Sequence, residues 1–198
     1  MTDLLIPARD EETDDELIVR FFELMNHPPE DGNVMQYKAW AAEFGSIGRA
    51  KVISLWNGAN TVKVSILNTD YGIASSTLID DFQEYLDPEE SGLGNGVAPI
   101  GAIVTVSTAT ALTVNITVSV SLQDGYSVVT GLDTDIREWF KDISYIKTGV
   151  SYYALAGVML ANASVKNIQN LVVNGGTSDL TLTAEQIPVL GTLNVTVI

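Results

Sequence analysis

The 198-residue chain carries 10 basic against 25 acidic residues, a formal net charge of -15, with no cysteine and a single histidine. These counts remove disulfides, thiolate zinc sites and thiol nucleophiles, and leave Ser-His-Asp catalysis and multi-histidine metal centres with His27 alone. The acidic balance disfavours a nucleic-acid partner, which would need a basic stripe, and the length suits one sizeable domain or two small ones.

Asp10, Glu11, Glu12, Asp14, Asp15 and Glu16 open the chain as an acidic lead-in. Thr13 to Glu16 has the form of a capping box, so a helix is expected to start there, with an apolar stripe of Leu17, Phe21, Leu24 and Met25. His27-Pro28-Pro29 stops it, and His27 reads as a helix-end residue more readily than a catalytic one. After a turn at Asp31-Gly32, Asn33 caps a second helix carrying Val34, Tyr37, Trp40, Ala41 and Phe44, which Gly45 ends.

The period then changes. Val52 and Ile53 lead through Trp56 to Asn57-Gly58, and Val62, Val64 and Ile66 alternate with polar residues, which predicts a hairpin closed by an Asn-Gly turn. Ser75 or Ser76 caps a third helix with Leu78, Ile79, Phe82, Tyr85 and Leu86 on one face and Asp80, Asp81 and Glu84 on the other; Asp87-Pro88 stops it. A loop from Glu89 to Pro99, with Gly92, Gly94 and Gly96, feeds a strand containing Ile100, Ile103, Val104 and Val106. It is not a phosphate cradle, because no Gly-Lys-Ser/Thr follows and it runs into a strand instead of a helix.

A domain boundary is expected between Ser107 and Thr110, dividing the chain into a lead-in at 1–12, a first domain at 13–108 and a second at 109–198. The second opens on the clearest element of the chain. From Leu112 to Leu122 every second residue is apolar, the signature of a strand with one face on a core and the other on water or a polar partner. After Asp124-Gly125 comes a helix with Leu132, Ile136, Trp139, Phe140 and Ile143, then a helix from Val150 to Ala161 rich in small residues. Val165 to Val173 reads as a strand, Asn174-Gly175-Gly176 as a hairpin turn, Leu180 to Leu182 as its return, and Leu193, Val195 and Val197 alternate near the end. Helix, short turn, strand and Asn-Gly recur in both halves as a weak repeat. The fold class is therefore α+β, two small domains of helices on antiparallel or mixed sheets.

The sequence offers few constellations for chemistry. Ser144-x-x-Lys147 and Lys147-Thr148-Gly149 match motifs of penicillin-binding enzymes, but both use the same lysine, and Ser-Asp-Asn is lacking. Asp133, Asp135 and Glu138 fit helix capping and a solvated face better than a cation site. No catalytic residue, cofactor or metal is expected. No apolar run reaches the ~18 residues of a membrane span, and Met1 to Ala8 lacks the form of a signal peptide, so synthesis in the cytosol without a membrane partner is expected. The sequons at Asn115, Asn162 and Asn194 then read as chance matches.

A resemblance runs from about Glu11 to the end of the chain. It is carried by Thr13 to Phe22 with Pro28-Pro29, Asp31-Gly32-Asn33 through Tyr37 and Trp40, Ala50-Lys51-Val52 with Leu55-Trp56-Asn57-Gly58, and Val62-Lys63-Val64. Gly92 through Ala98-Pro99-Ile100-Gly101-Ala102, Leu171 through Gly176 and Pro188-Val189-Leu190-Gly191-Thr192 complete it. In order and spacing these resemble the baseplate J-like family of contractile phage tails, prophages and tail-like particles. The resemblance implies a structural baseplate wedge component that joins hub and sheath to peripheral tail parts, is assembled in the bacterial cytoplasm, and has no catalytic residues to carry over. It implies other baseplate and tail proteins as partners, with a homo-oligomer as a further option. Members are usually longer, with another domain ahead of the matched region.

Three stretches are candidate interfaces, each with a plainer reading. They are the acidic lead with Asp10, Glu11, Glu12 and Asp14 (a solvated terminus), the loop with Gly92, Gly94 and Gly96 (a flexible turn), and the small-residue helix with Ser151, Ala154, Gly157 and Ala161 (a helix on its own sheet). For the helix the plainer reading is preferred. Two other functions compete. A sugar- or surface-binding tail-tip module would use an exposed Trp56 beside polar loop groups, and a carboxylate-dependent hydrolase would need Asp80, Asp81 or Glu84 to converge with a partner.

Overall fold

A computed structural model describes residues 13–26, 28, 30 and 32–198. The lead-in with Asp10, Glu11 and Glu12, and the helix-end residue His27, lie outside the described residues. The fold is α+β, in two compact units, the first ending at Ala109 and the second beginning at Thr110.

In the first unit, α1 (Asp14–Asn26) begins where Leu17 N–H bonds the Thr13 carbonyl at 2.9 Å. Among its described side chains, Leu17, Ile18, Phe21, Phe22 and Met25 are 46–68% exposed instead of lying in a core. α2 (Val34–Glu43) is capped by Asn33, whose Oδ1 accepts Gln36 N–H at 2.8 Å, and buries Tyr37 and Ala41. β1 (Ile47–Ser54) and β2 (Thr61–Asn68) form the expected antiparallel hairpin, closed by a loop from Leu55 to Asn60 that is wider than an Asn-Gly turn. Thr61 sets that loop, its Oγ1 accepting Asn57 N–H at 3.0 Å and donating to the Gly58 carbonyl at 2.8 Å. α3 (Ser76–Leu86) is capped by Ser75, and β3 (Ile103–Thr108) starts later than the apolar run suggests and pairs parallel with β2. The core gathers Tyr37, Phe44, Val64, Ile66, Phe82, Leu86 and Val104 between helices and sheet.

In the second unit, β4 (Thr110–Leu122) is the central strand, with β6 (Val165–Val173) antiparallel on one side and β8 (Gln186–Val197) parallel on the other. The alternation predicted for β4 becomes two faces. Val114, Ile116, Val118 and Val120 are buried, whereas Thr113, Asn115 and Thr117 are exposed. Each such buried side chain contributes roughly 1.5–3 kcal/mol relative to exposure. α4 (Leu132–Ile143), strongly amphipathic by sequence, supplies Leu132, Ile136, Phe140 and Ile143 to this core, and α5 (Tyr152–Ala161) supplies Leu155 and Met159.

The expected return strand is a correction. Leu180 to Leu182 does not fold back on β6; β7 (Leu180–Thr181) pairs instead with β5 (Gly149–Val150), which takes Val150 out of the predicted helix. The reason lies at Asn174, which is committed to β4. Its Oδ1 accepts Asn115 N–H at 2.8 Å, its Nδ2 donates to the Thr113 carbonyl at 3.0 Å, and its N–H donates to the Asn115 carbonyl at 2.9 Å. The similarity of the halves therefore lies in sheet arrangement: each central strand has an antiparallel neighbour that follows a helix, and a parallel neighbour at the other edge.

Candidate functional site

The glycine loop is held by the end of α3. Asp87 is the C-cap residue and is almost wholly buried, and its carboxylate accepts Gly92 N–H at 3.0 and 3.1 Å and Val104 N–H at 3.0 Å. Next to it, Gln83 donates through Nε2 to the Val104 carbonyl at 2.9 Å and accepts Val106 N–H at 2.7 Å. The loop returns the favour to the helix, since Val97 and Ala98 N–H bond the Tyr85 and Leu86 carbonyls that an α-helix end leaves unpaired. Gly96 allows this approach, because a Cβ there would lie 2.3 Å from the Leu86 carbonyl oxygen. Gly92 is buried at φ +63°. Gly94, at φ +76°, lies under the Ile100 side chain. The loop is thus a pinned platform that presents two large apolar side chains, Leu93 and Ile100, to solvent.

The other predicted interface residues fall as follows. Asp14 is the first residue of α1 and exposed, while Asp10, Glu11 and Glu12 lie outside the described residues. α5 does pack on its own unit, but through Leu155 and Met159; Ala154, Gly157 and Ala161 lie on its exposed side with Tyr153 and Leu160, and Ser151 occupies the N-cap without a side-chain cap bond. Sequence reasoning passed over Ile18, Phe22, Leu93 and Ile100, which are exposed apolar residues, and the two polar residues Gln83 and Asp87 that set the loop. Isolated large apolar residues in a segment rich in glycine and proline are the signal that marks Leu93 and Ile100.

Trp56 is 39% exposed in the β1–β2 loop, and the Lys63 ammonium sits 4.2 Å from the ring centroid, covering one face. Asp80, Asp81 and Glu84 are exposed on α3. Asp135 accepts Asn162 Nδ2 at 2.6 Å and Glu138 pairs with Lys141 at 3.1 Å, so these acids join structural bonds. Ser144 is buried at the end of α4, its hydroxyl donating to the Phe140 carbonyl at 2.7 Å. Among the described residues, no three of His, Asp and Glu form a group that could hold a metal ion, and no helix is long and apolar enough to cross a membrane.

Comparison with known proteins gives a consistent picture. The family model "Baseplate J-like central domain" matches residues 29–108, and "Baseplate J-like protein C-terminal domain" matches residues 114–196. The chain is 34% identical over 196 residues to "Phage-like element PBSX protein XkdT" of Bacillus subtilis (strain 168), covering 98% of this chain and 56% of that protein. It is 35% identical over 196 residues to "Uncharacterized protein YqbT" of the same strain, again covering 98% and 56%. The chain therefore spans little more than half the length of these relatives. Among solved structures, a chain in the cryo-EM structure of the anti-feeding prophage baseplate, 6-fold symmetrised, shares the fold with a TM-score of 0.63 at 11% identity, over 90% of this chain and 42% of that one.

Proposed function

The chain belongs to the baseplate J-like family, and from that premise we propose that it is a structural, non-catalytic component of a contractile tail baseplate or of a tail-like particle. Its role in this reading is that of a wedge element between hub or sheath and peripheral tail parts, assembled in the bacterial cytoplasm and working through protein contacts. The observation that carries the proposal is that two family domains in succession, at residues 29–108 and 114–196, account for most of the chain.

The surfaces agree with such work. An assembly protein needs apolar area at its partners' contact sites and has no need of a titratable cluster. The α1 stripe of Leu17, Ile18, Phe21, Phe22 and Met25, and the platform carrying Leu93 and Ile100, supply that area in the first unit. Co-expression of the full chain with the tail proteins encoded beside it tests the reading. A mixed complex of defined mass is expected, and a chain that co-purifies with none of them sinks the proposal.

One observation favours a second reading, a sugar-binding module of a tail tip: Trp56 is partly exposed beside Asn57 and Asn60. Only one ring face is open, since Lys63 takes the other, so the platform is smaller than the sequence suggests. Titration of glycans against Trp fluorescence, with Trp56→Ala as control, decides between them.

A further inference from the structure

The sequence holds three Asn-Gly pairs, Asn57-Gly58, Asn95-Gly96 and Asn174-Gly175. This dipeptide is chemically labile: with no Cβ on the second residue, the glycine backbone nitrogen can reach the asparagine side-chain carbonyl carbon and close a five-membered ring. Two conditions govern the step in a folded chain. The asparagine side chain must be able to turn onto its own main chain, and the glycine must have room to follow. All three asparagines are exposed, so access to water does not separate them.

The three loops differ in these conditions. Asn174 fails the first, because β4 engages its Oδ1 at 2.8 Å and its Nδ2 at 3.0 Å, although nothing lies within 4 Å of a Cβ placed on Gly175. Asn95 fails the second. Its side chain has no hydrogen bond among the described residues, but Gly96 is wedged against the end of α3, where a Cβ would run into the Leu86 carbonyl oxygen, and the next two N–H groups are fastened to the Tyr85 and Leu86 carbonyls. Asn57 meets both: its side chain has no hydrogen bond among the described residues, and nothing lies within 4 Å of a Cβ placed on Gly58. Thr61 Oγ1 clasps the Asn57 N–H and the Gly58 carbonyl, on either side of the reacting peptide unit, whose own N–H reaches the Leu55 carbonyl at a long 3.4 Å.

We propose that Asn57 is a self-modification site, converted to aspartate and isoaspartate with water as co-reactant, while the fold preserves Asn95 and Asn174. The Gly58 nitrogen gives its proton to solvent and bonds to Asn57 Cγ; the Cγ–Nδ2 bond breaks and the side-chain nitrogen leaves as ammonia, taking a proton from solvent. Water then opens the ring at either carbonyl. Attack at Cγ yields aspartate, and attack at the original main-chain carbonyl yields isoaspartate, whose main chain runs through Cβ and Cγ. From Phe44 to Thr69 the sequence has three basic residues, Arg49, Lys51 and Lys63, and no acid. Either product therefore brings the first carboxylate into this hairpin, next in sequence to Trp56, whose ring lies under the Lys63 ammonium. Isoaspartate also lengthens the loop that joins β1 to β2. The inference stands on loop geometry and depends on neither functional reading.

Incubation of the full chain in mildly alkaline water labelled with heavy oxygen, followed by digestion and peptide mass spectrometry, tests it. Heavy oxygen marks the conversions that precede digestion, and enzymatic methylation of isoaspartate identifies that product. In the folded chain Asn57 is expected to convert first, with Asn174 about ten-fold or more slower because two side-chain hydrogen bonds must open beforehand. Asn95 should also lag. In urea, where no loop is held, the three rates should converge. Asn57→Gln, at an exposed position, should keep the fold by circular dichroism and lose the early gain of negative charge on isoelectric focusing. Asn95 or Asn174 keeping pace with Asn57 in the folded chain overturns the proposal. So does an Asn57 that reacts in urea but is stable in the folded chain, or the same ranking in both states, which would make the order a property of sequence alone.

Discussion

The side-chain oxygen of Gln83 accepts the backbone N–H of Val106 at 2.7 Å, and this one bond makes a helix stand in for a strand. With the Gln83 Nε2 bond to the Val104 carbonyl and the Asp87 bond to Val104 N–H, the edge of β3 is occupied without a further strand. Asp87 binds Gly92 from the same carboxylate, so sheet edge and glycine platform share one anchor.

Replacing that anchor should be costly. Asp87→Ala leaves the N–H groups of Gly92 and Val104 without their acceptor in a buried place, and should lower unfolding stability by about 3 kcal/mol. Urea denaturation followed by Trp fluorescence measures it. A loss below about 1 kcal/mol would mean that water replaces the carboxylate.

Tyr37 predicts the opposite sign. Its ring is buried, and among the described residues its hydroxyl has no hydrogen-bond partner. Tyr37→Phe should therefore be neutral or stabilise by up to about 1 kcal/mol near pH 7. The variant also bears on alkaline stability. Burial, and secondarily the Asp87 charge, raise the Tyr37 phenol above its ordinary 10.0, and burial with Glu43 does the same for Tyr85. Above pH 10 the unfolded chain releases these protons first, so the stability present below pH 10 falls as pH rises towards the folded values. The fall should be shallower in Tyr37→Phe.

Two glycines separate close approach from mere smallness. Gly96→Ala would drive a Cβ to 2.3 Å from the Leu86 carbonyl oxygen and should cost about 2 kcal/mol. At Gly157 nothing lies within 4 Å, and Gly157→Ala in the middle of α5 should stabilise by about 1 kcal/mol. Thermal melts of both variants check the pair. If Gly157→Ala folds better yet fails to enter complexes with tail proteins, the exposed face of α5 is a contact site.

Surface variants test the proposed assembly role apart from folding. Phe22→Asp and Ile100→Asp replace exposed side chains and should change stability by less than about 0.5 kcal/mol. Co-purification with tail partners should drop sharply in at least one of them. Unchanged recovery with both would remove α1 and the glycine platform from the list of contacts.

Local grammar was readable in the sequence, and long-range bookkeeping was not. Strict alternation from Leu112 to Leu122 announces a one-sided strand, Asn33 announces a cap, and of Ser75 and Ser76 the structure selects Ser75 as the second cap. The partners of β4 could not be read, because parallel pairing with β8 depends on chain closure across much of the second unit. Asn174-Gly175 looks like any hairpin turn until its side chain is seen clamped to Thr113 and Asn115. Gln83 lies on what the sequence presents as a solvated helix face, and Asp87 looks like a mere stop signal before Pro88, since neither reveals which backbone it will meet. The α1 stripe was legible as apolar, but whether such a stripe faces its own core or another molecule is not written in its period.

The filled edge of β3 has a counterpart in time. Amide hydrogens exchange with solvent when their bonds open, and a strand at the margin of a sheet would ordinarily open early. Val104 and Val106 should instead exchange with the slow class of interior amides, because opening them requires α3 to lift away. The amides of Leu193, Val195 and Val197, with no such side-chain partner among the described residues, should exchange fast.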